Sequence, residues 1–270
     1  MRALFFARKK IILIFTVFFL LIYSLLPFVE KLYLKQNIII MANKASGAKV
    51  FNLREITFVV KKPVPAGFAQ KALKLYQQEK KYFNSSKRER VVVVVQDSSS
   101  LQGFSLPSSG YYWGGVVYLF SGAENEALAH ELAHYLLDIN TNGRLSRYLH
   151  EGFAQWFEIN LGSFPPFLQD NEAVFLSPAS LEKNLDSSEN QYAAYQESYY
   201  FIKYLEGKKG IGGLYRFLNE VKKNGEGKAF VAVFGENEDL LFKEFVRWYQ
   251  EWKKSEARAS LFLYSFSVFG

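Results

Sequence analysis

"ALAHELAHYLLD", residues 127–138, sets two histidines and a glutamate into one short apolar run. His130 and His134 are four apart, so on an α-helix they project from one face, one turn from each other. Two imidazoles placed in this way can hold one Zn²⁺ at about 2.0–2.1 Å each. Glu131 lies roughly a quarter turn round, near enough to reach a zinc-activated water without ligating the metal, which is the position of a general base. The rival interpretation is a packed helix whose histidines are merely hydrogen-bonded. Against it, the chain has three histidines and all fall between 130 and 150. After a break at "NTNGR", a second helical stretch, "LHEGFAQWFE" (149–158), can return a carboxylate to the same metal. A catalytic zinc takes three protein ligands and keeps one position open, and Glu151 completes a His₂Glu set. A structural zinc domain, by contrast, closes its site with four ligands.

His150 competes with Glu151 for the third place, but consecutive helical residues point about 100° apart, so both cannot face the metal. Gln155 and Glu158 follow Glu151 on one helix face and could orient a ligating histidine, or simply be solvated. Ser121 with Glu124 three residues on reads as a capping box opening the first helix.

Outward from this core the chain is mixed. "KVFNLREITFVV" (49–60) has strand character and ends in the turn signal "KKPVPAG". "FAQKALKLYQQEKKYF" (68–83) spaces its apolar residues as an amphipathic helix, and "VVVVV" (91–95) suits a buried strand. "YYWGGVVYLF" (111–120) reads as another strand, and from 123 onward the pattern is mostly helical, with breaks at "TNG", "GSFPPF" and "GKKGIGG". Strands followed by helices define an α+β class, a small mixed sheet and then a mainly helical C-terminal half.

The N-terminus carries a different signal. "IILIFTVFFLLIYSLLPFV", Ile11–Val29, is 19 residues without a charge, spanning roughly 28 Å as a helix, close to the hydrocarbon thickness of a bilayer. Arg2, Arg8, Lys9 and Lys10 precede it, so the positive-inside bias keeps the N-terminus cytoplasmic and places the rest outside. No small-residue cleavage site follows, which favours an uncleaved anchor over a signal peptide. The expected organisation is a cytoplasmic tip and transmembrane anchor (1–29), a stalk (30–48), a main domain that carries the candidate metal site (49–255) and an aromatic tail (256–270). The motif helix has charged neighbours, so its site belongs outside the lipid. With 49% hydrophobic residues the chain is not disordered. Its formal charge of +7 owes four units to the first ten residues, which leaves too little for nucleic-acid binding. Absence of cysteine excludes thiolate ligands, a cysteine nucleophile and disulfides.

"HELAH", sixteen residues, then "EGFAQWFE" resembles the gluzincin metallopeptidases, and within them the aminopeptidase N-type enzymes with their W-L-x-E-G-x-A-x-x-x-E pattern. The resemblance spans residues 110–255 and implies zinc held by His130, His134 and Glu151, with Glu131 as catalytic carboxylate. It further implies an edge strand before the motif helix, along which a peptide substrate would lie, and "GGVVYLF" (114–120) occupies that place. "AAYQESYYFIKYL" (193–205) is similar to the region of the family's transition-state tyrosine, putting Tyr195 there as oxyanion donor, although "YQES" replaces Y-x-K-G. Tyr192 and Tyr199 share its helix face. The amine-binding G-A-M-E-N is missing, since "GAEN" (122–125) falls on the motif helix itself, so an endopeptidase rather than an exopeptidase is implied. The expected protein is a membrane-anchored zinc peptidase acting on exported proteins or peptides. A catalytically silent scaffold on the same fold is the alternative.

Overall fold

The computed structural model describes residues 16–17, 20, 22–83, 90–97, 109–122, 124–161, 175 and 177–267, without the side chains of 82, 124–126 and 255–267. A five-stranded mixed sheet stands at the N-terminal side, in the order β1 (Lys49–Leu53), β2 (Ile56–Val60), β3 (Val91–Gln96), β5 (Val116–Phe120), β4 (Gly110–Trp113). The β2–β3 and β3–β5 pairs are parallel, and both outer pairs are antiparallel. The unbroken valine run of β3 is buried at every position, as a central strand covered on both faces requires. On one face Val91, Val93 and Val95 join the main core with α2 (Phe68–Tyr82) and α3 (Glu124–Thr141). On the other, Val59, Val92, Val94 and Val116 meet Ile39 and Ile40 of α1 (Phe28–Ala45).

That last contact revises the expected stalk. Residues 30–48 are mostly helix α1, with Leu32 and Gln36 buried. The Gln36 amide donates to the Gly115 carbonyl at 2.8 Å and to the Arg90 carbonyl at 3.2 Å, pinning α1 across two strand ends. Period alone could not separate a loose linker from a helix whose polar residue is buried by strands 50 or more positions away. Among the described residues no helix is long and apolar enough to cross a membrane, and eight of the nineteen residues of Ile11–Val29 lie outside the described residues. The edge-strand expectation also changes. β5, which holds most of "GGVVYLF", is flanked by β3 and β4, and β4 is the edge. "YYW" and "VVYLF" are two strands of a hairpin turned at Gly114 and Gly115, both at positive φ, where an L-residue would be strained.

The C-terminal half is helical: α4 (Arg147–Asn160), α5 (Pro178–Asn184), α6 (Gln191–Asn224), α7 (Glu226–Phe234) and α8 (Glu238–Ser267). The "GKKGIGG" break appears as a kink inside α6 at Gly210, φ 67°. Phe201, Phe217, Phe230, Phe242 and Phe245 fill the space between α6, α7 and α8. The tail continues α8 as far as Ser267. The segment "GSFPPF" lies outside the described residues.

Candidate metal centre

Helix α3 carries His130, Glu131 and His134, and α4 carries Glu151. The N-terminus of α4 is held from other helices. Its N-cap Ser146 makes no side-chain cap. Instead the Ser146 N–H donates to Glu226 (2.6 Å), and the N–H groups of Arg147 and Tyr148 donate to Glu182 (3.3 and 2.8 Å). Carboxylates at a helix N-terminus satisfy orphan donors and complement the dipole, so α4 is held in place with Glu151 facing His130 and His134 of α3. Gly152, just after Glu151, lets α6 approach: a Cβ there would lie 2.4 Å from the Ser198 carbonyl oxygen. This close approach brings Tyr195 of α6 into the field of Glu151 and Glu131.

One donor atom each from His130, His134 and Glu151 lies within 4.8 Å of the other two. Glu151 Oε2 is 3.2 Å from His130 Nε2 and 3.3 Å from His134 Nε2. Tetrahedral donors about 2.0–2.1 Å from a common ion stand roughly 3.3 Å apart, a spacing that the two Glu151–histidine separations match. His150 points elsewhere: its Nδ1 meets His134 Nδ1 at 2.6 Å and its Nε2 meets Asp138 Oδ1 at 3.2 Å. Glu151, not His150, therefore faces the two motif histidines. Of the two candidate supports, Glu158 lies 3.2 Å from His130 Nδ1.

Charge in the site is arranged by burial and neighbours. Burial would raise Glu151, but His134 and His130 hold it well below the usual carboxylate range. Burial lowers His134 to about 4, leaving a neutral imidazole. Although burial opposes it, hydrogen bonds to Glu151 and Glu158 keep His130 well above its ordinary value. Glu131 is pushed up to about 8, chiefly by burial, with Glu151 and Glu158 adding to the effect. A backbone hydrogen bond from Tyr112, on edge strand β4, to the Glu131 carboxylate partly offsets that rise. Burial, then the Glu151 charge, raises the Tyr195 hydroxyl, while the Arg147 side chain pulls it down. Tyr195 thus keeps its proton. Arg147 itself is paired with Asp186 (2.6 Å).

Three participants escaped the sequence reading. Asp138 stands one helical turn past His134, and Arg147 one turn before Glu151, each on its ligand's face. Those spacings were visible; Tyr112, from a strand, left no such trace. Glu79 of α2 is fully buried, has no hydrogen-bond partner for either oxygen among the described residues, and is raised well above the usual carboxylate range by burial, which His130 partly opposes. The capping-box side chain of Glu124 lies outside those described.

No family model and no curated protein matches the chain. Among solved structures, 74% of the chain is similar to a mutant M1 zinc metallopeptidase from Deinococcus radiodurans bound to a Tyr-Ser-Ala substrate, at 13% identity and TM-score 0.47. The same share is similar to a mutant two-domain M1 zinc metallopeptidase bound to L-arginine, at 13% identity and TM-score 0.43. The matches cover 51% of each of those chains, so this chain spans about half their length.

Proposed function

We propose that this chain is a zinc-dependent peptidase of gluzincin type, with His130, His134 and Glu151 as ligands and Glu131 as general base. The observation that supports it is the convergence of three ligand atoms beside a buried carboxyl that does not ligate. Zinc bound there would supply Lewis acidity and acidify water near neutral pH. Glu131 would take the proton from the attacking water and pass it to the leaving amine; a carboxyl raised toward neutrality by burial suits both transfers. Tyr195 would donate to the developing oxyanion. An extended peptide would add to β4, whose outer edge already offers the Tyr112 N–H to Glu131. The missing amine-binding motif favours endopeptidase action.

The membrane anchor is part of the same reading. Val17, Leu20, Ile22 and Leu25, apolar residues of the uncharged stretch, are exposed, as lipid-facing residues would be. The helix that follows would then hold the domain at the outer surface of the bilayer.

The test uses the full chain in detergent beside Glu131→Gln, with zinc by elemental analysis and cleavage of unfolded casein. One equivalent of zinc in both is expected, with turnover lower by about 10²–10⁴-fold in the variant. No zinc in the wild type would overturn the proposal. Zinc in both without cleavage of any substrate would favour a scaffold.

A further inference from the structure

We infer that His150, held by Asp138, is a positioning residue that fixes His134 in the tautomer required for metal ligation. The inference rests on the zinc reading above and concerns residues outside the ligand set.

Four side chains form a line. His134 Nδ1 is 2.6 Å from His150 Nδ1, His150 Nε2 is 3.2 Å from Asp138 Oδ1, and the Tyr112 hydroxyl donates to Asp138 Oδ2 at 2.6 Å. The two imidazole planes are only 19° from parallel, with centroids 4.8 Å apart. Centroids so much farther apart than the facing nitrogens mean that the rings meet edge to edge, in line, as a hydrogen bond requires. They do not stack face to face.

Ligation decides the direction of this line. His134 Nε2 faces Glu151, and a nitrogen that ligates must present its lone pair. The neutral ring then carries its proton on Nδ1 and donates it to His150 Nδ1. His150 must in turn carry its proton on Nε2, where Asp138 accepts it. Reversing the line would leave an N–H on the nitrogen that has to bind the metal. Each group therefore has a single role, and a buried carboxylate anchors the end.

The two ligating histidines are thus backed by different means. His130 rests directly on the Glu158 carboxylate, while His134 reaches its carboxylate through a second imidazole. His150 precedes Glu151 on α4, so the line joins both ligand-bearing helices at the site. It ends on Tyr112 of edge strand β4, whose backbone N–H also holds Glu131.

Three variants of the full chain in detergent test this: His150→Phe, which cannot accept a hydrogen bond, His150→Gln, whose amide oxygen can, and Asp138→Asn. Zinc affinity is read by chelator competition, the electronic spectrum after Co²⁺ loading, and the unfolding temperature without metal. His150→Phe should bind zinc about 10–100-fold more weakly, with an altered cobalt spectrum. His150→Gln should recover most of that loss, and Asp138→Asn should fall between. A Phe variant within twofold of wild type, with an unchanged spectrum, overturns the inference. So do Gln and Phe variants that are equally weak, because packing rather than acceptance would then be at work. Should the Phe variant fail to fold, Asp138→Asn decides: a loss near tenfold supports the inference, and unchanged affinity refutes it. A wild type that binds no zinc is a separate failure, of the metal centre itself.

Discussion

Gly152→Ala separates two opposed effects at one atom. A Cβ at 152 would lie 2.4 Å from the Ser198 carbonyl oxygen and 2.7 Å from its carbon, with Ile202 at 2.9 Å. Ordinary C···O contact needs about 3.3 Å, so α4 and α6 would have to part by roughly 0.9 Å. Alanine in a helix interior gains about 0.8–1.0 kcal/mol over glycine. Overpacking a buried contact costs about 1–3 kcal/mol, and the upper end applies because the obstacle is main chain rather than a flexible side-chain tip. The clash wins, for a net loss of about 1–2 kcal/mol and a fall in Tm of roughly 2–8 °C. Turnover should suffer more. Glu151 sits on one of the two displaced helices and Tyr195 on the other, and a 1 Å misplacement can cost about 10²-fold. Thermal unfolding and peptide hydrolysis of the full chain, side by side, provide the measurement. A variant at least as stable as wild type, with activity within about threefold, would refute the close approach of these helices and the account of how Tyr195 is placed.

Two more outcomes follow from the same geometry. Tyr195→Phe should lower kcat by about 10²–10³-fold with KM little changed, as loss of one oxyanion donor does; steady-state kinetics showing an unaltered kcat would remove Tyr195 from the reaction. Glu197, which is 1% exposed and accepts from the Phe175 N–H, is raised by burial from an ordinary value of 4.5 to about 8. The folded chain holds that proton more tightly than the unfolded one, so stability from this group is full below pH 4.5 and is lost as pH rises through about 8. The upper limit is about 5 kcal/mol. Glu197→Gln keeps an acceptor for Phe175 but cannot ionise, so its Tm should decline less than wild type between pH 5 and 8.5; parallel declines would sink the assignment.

The candidate metal centre is legible because its parts are local. The His130–His134 spacing is a property of one helix, and Glu151 opens a second recognisable run. What supports them was only half legible. Glu158 shares a face with its neighbour Glu151, but its partner is His130, 28 residues away. His150 looked like a rival ligand because sequence gives the angle between neighbours on a helix, not what stands opposite each of them. The hairpin is hidden for a similar reason: "YYWGGVVYLF" is apolar throughout, and only the two glycines at positive φ show that it doubles back to make β4 the edge. α6 kept its expected break, since Gly210 takes a backbone conformation that helices lack.

Helix α1 supplies the second wall of the sheet, and this limits how the chain can be shortened. A version begun at Ser46 would leave Val59, Val92, Val94 and Val116 facing water, along with the Arg90 and Gly115 carbonyls that Gln36 now occupies. Bare valines on a pleated surface are what neighbouring molecules adhere to. The shortest well-behaved fragment therefore starts ahead of Phe28, inside the stretch that reads as the anchor, and aggregation of shorter versions would reflect a missing wall rather than a defective site.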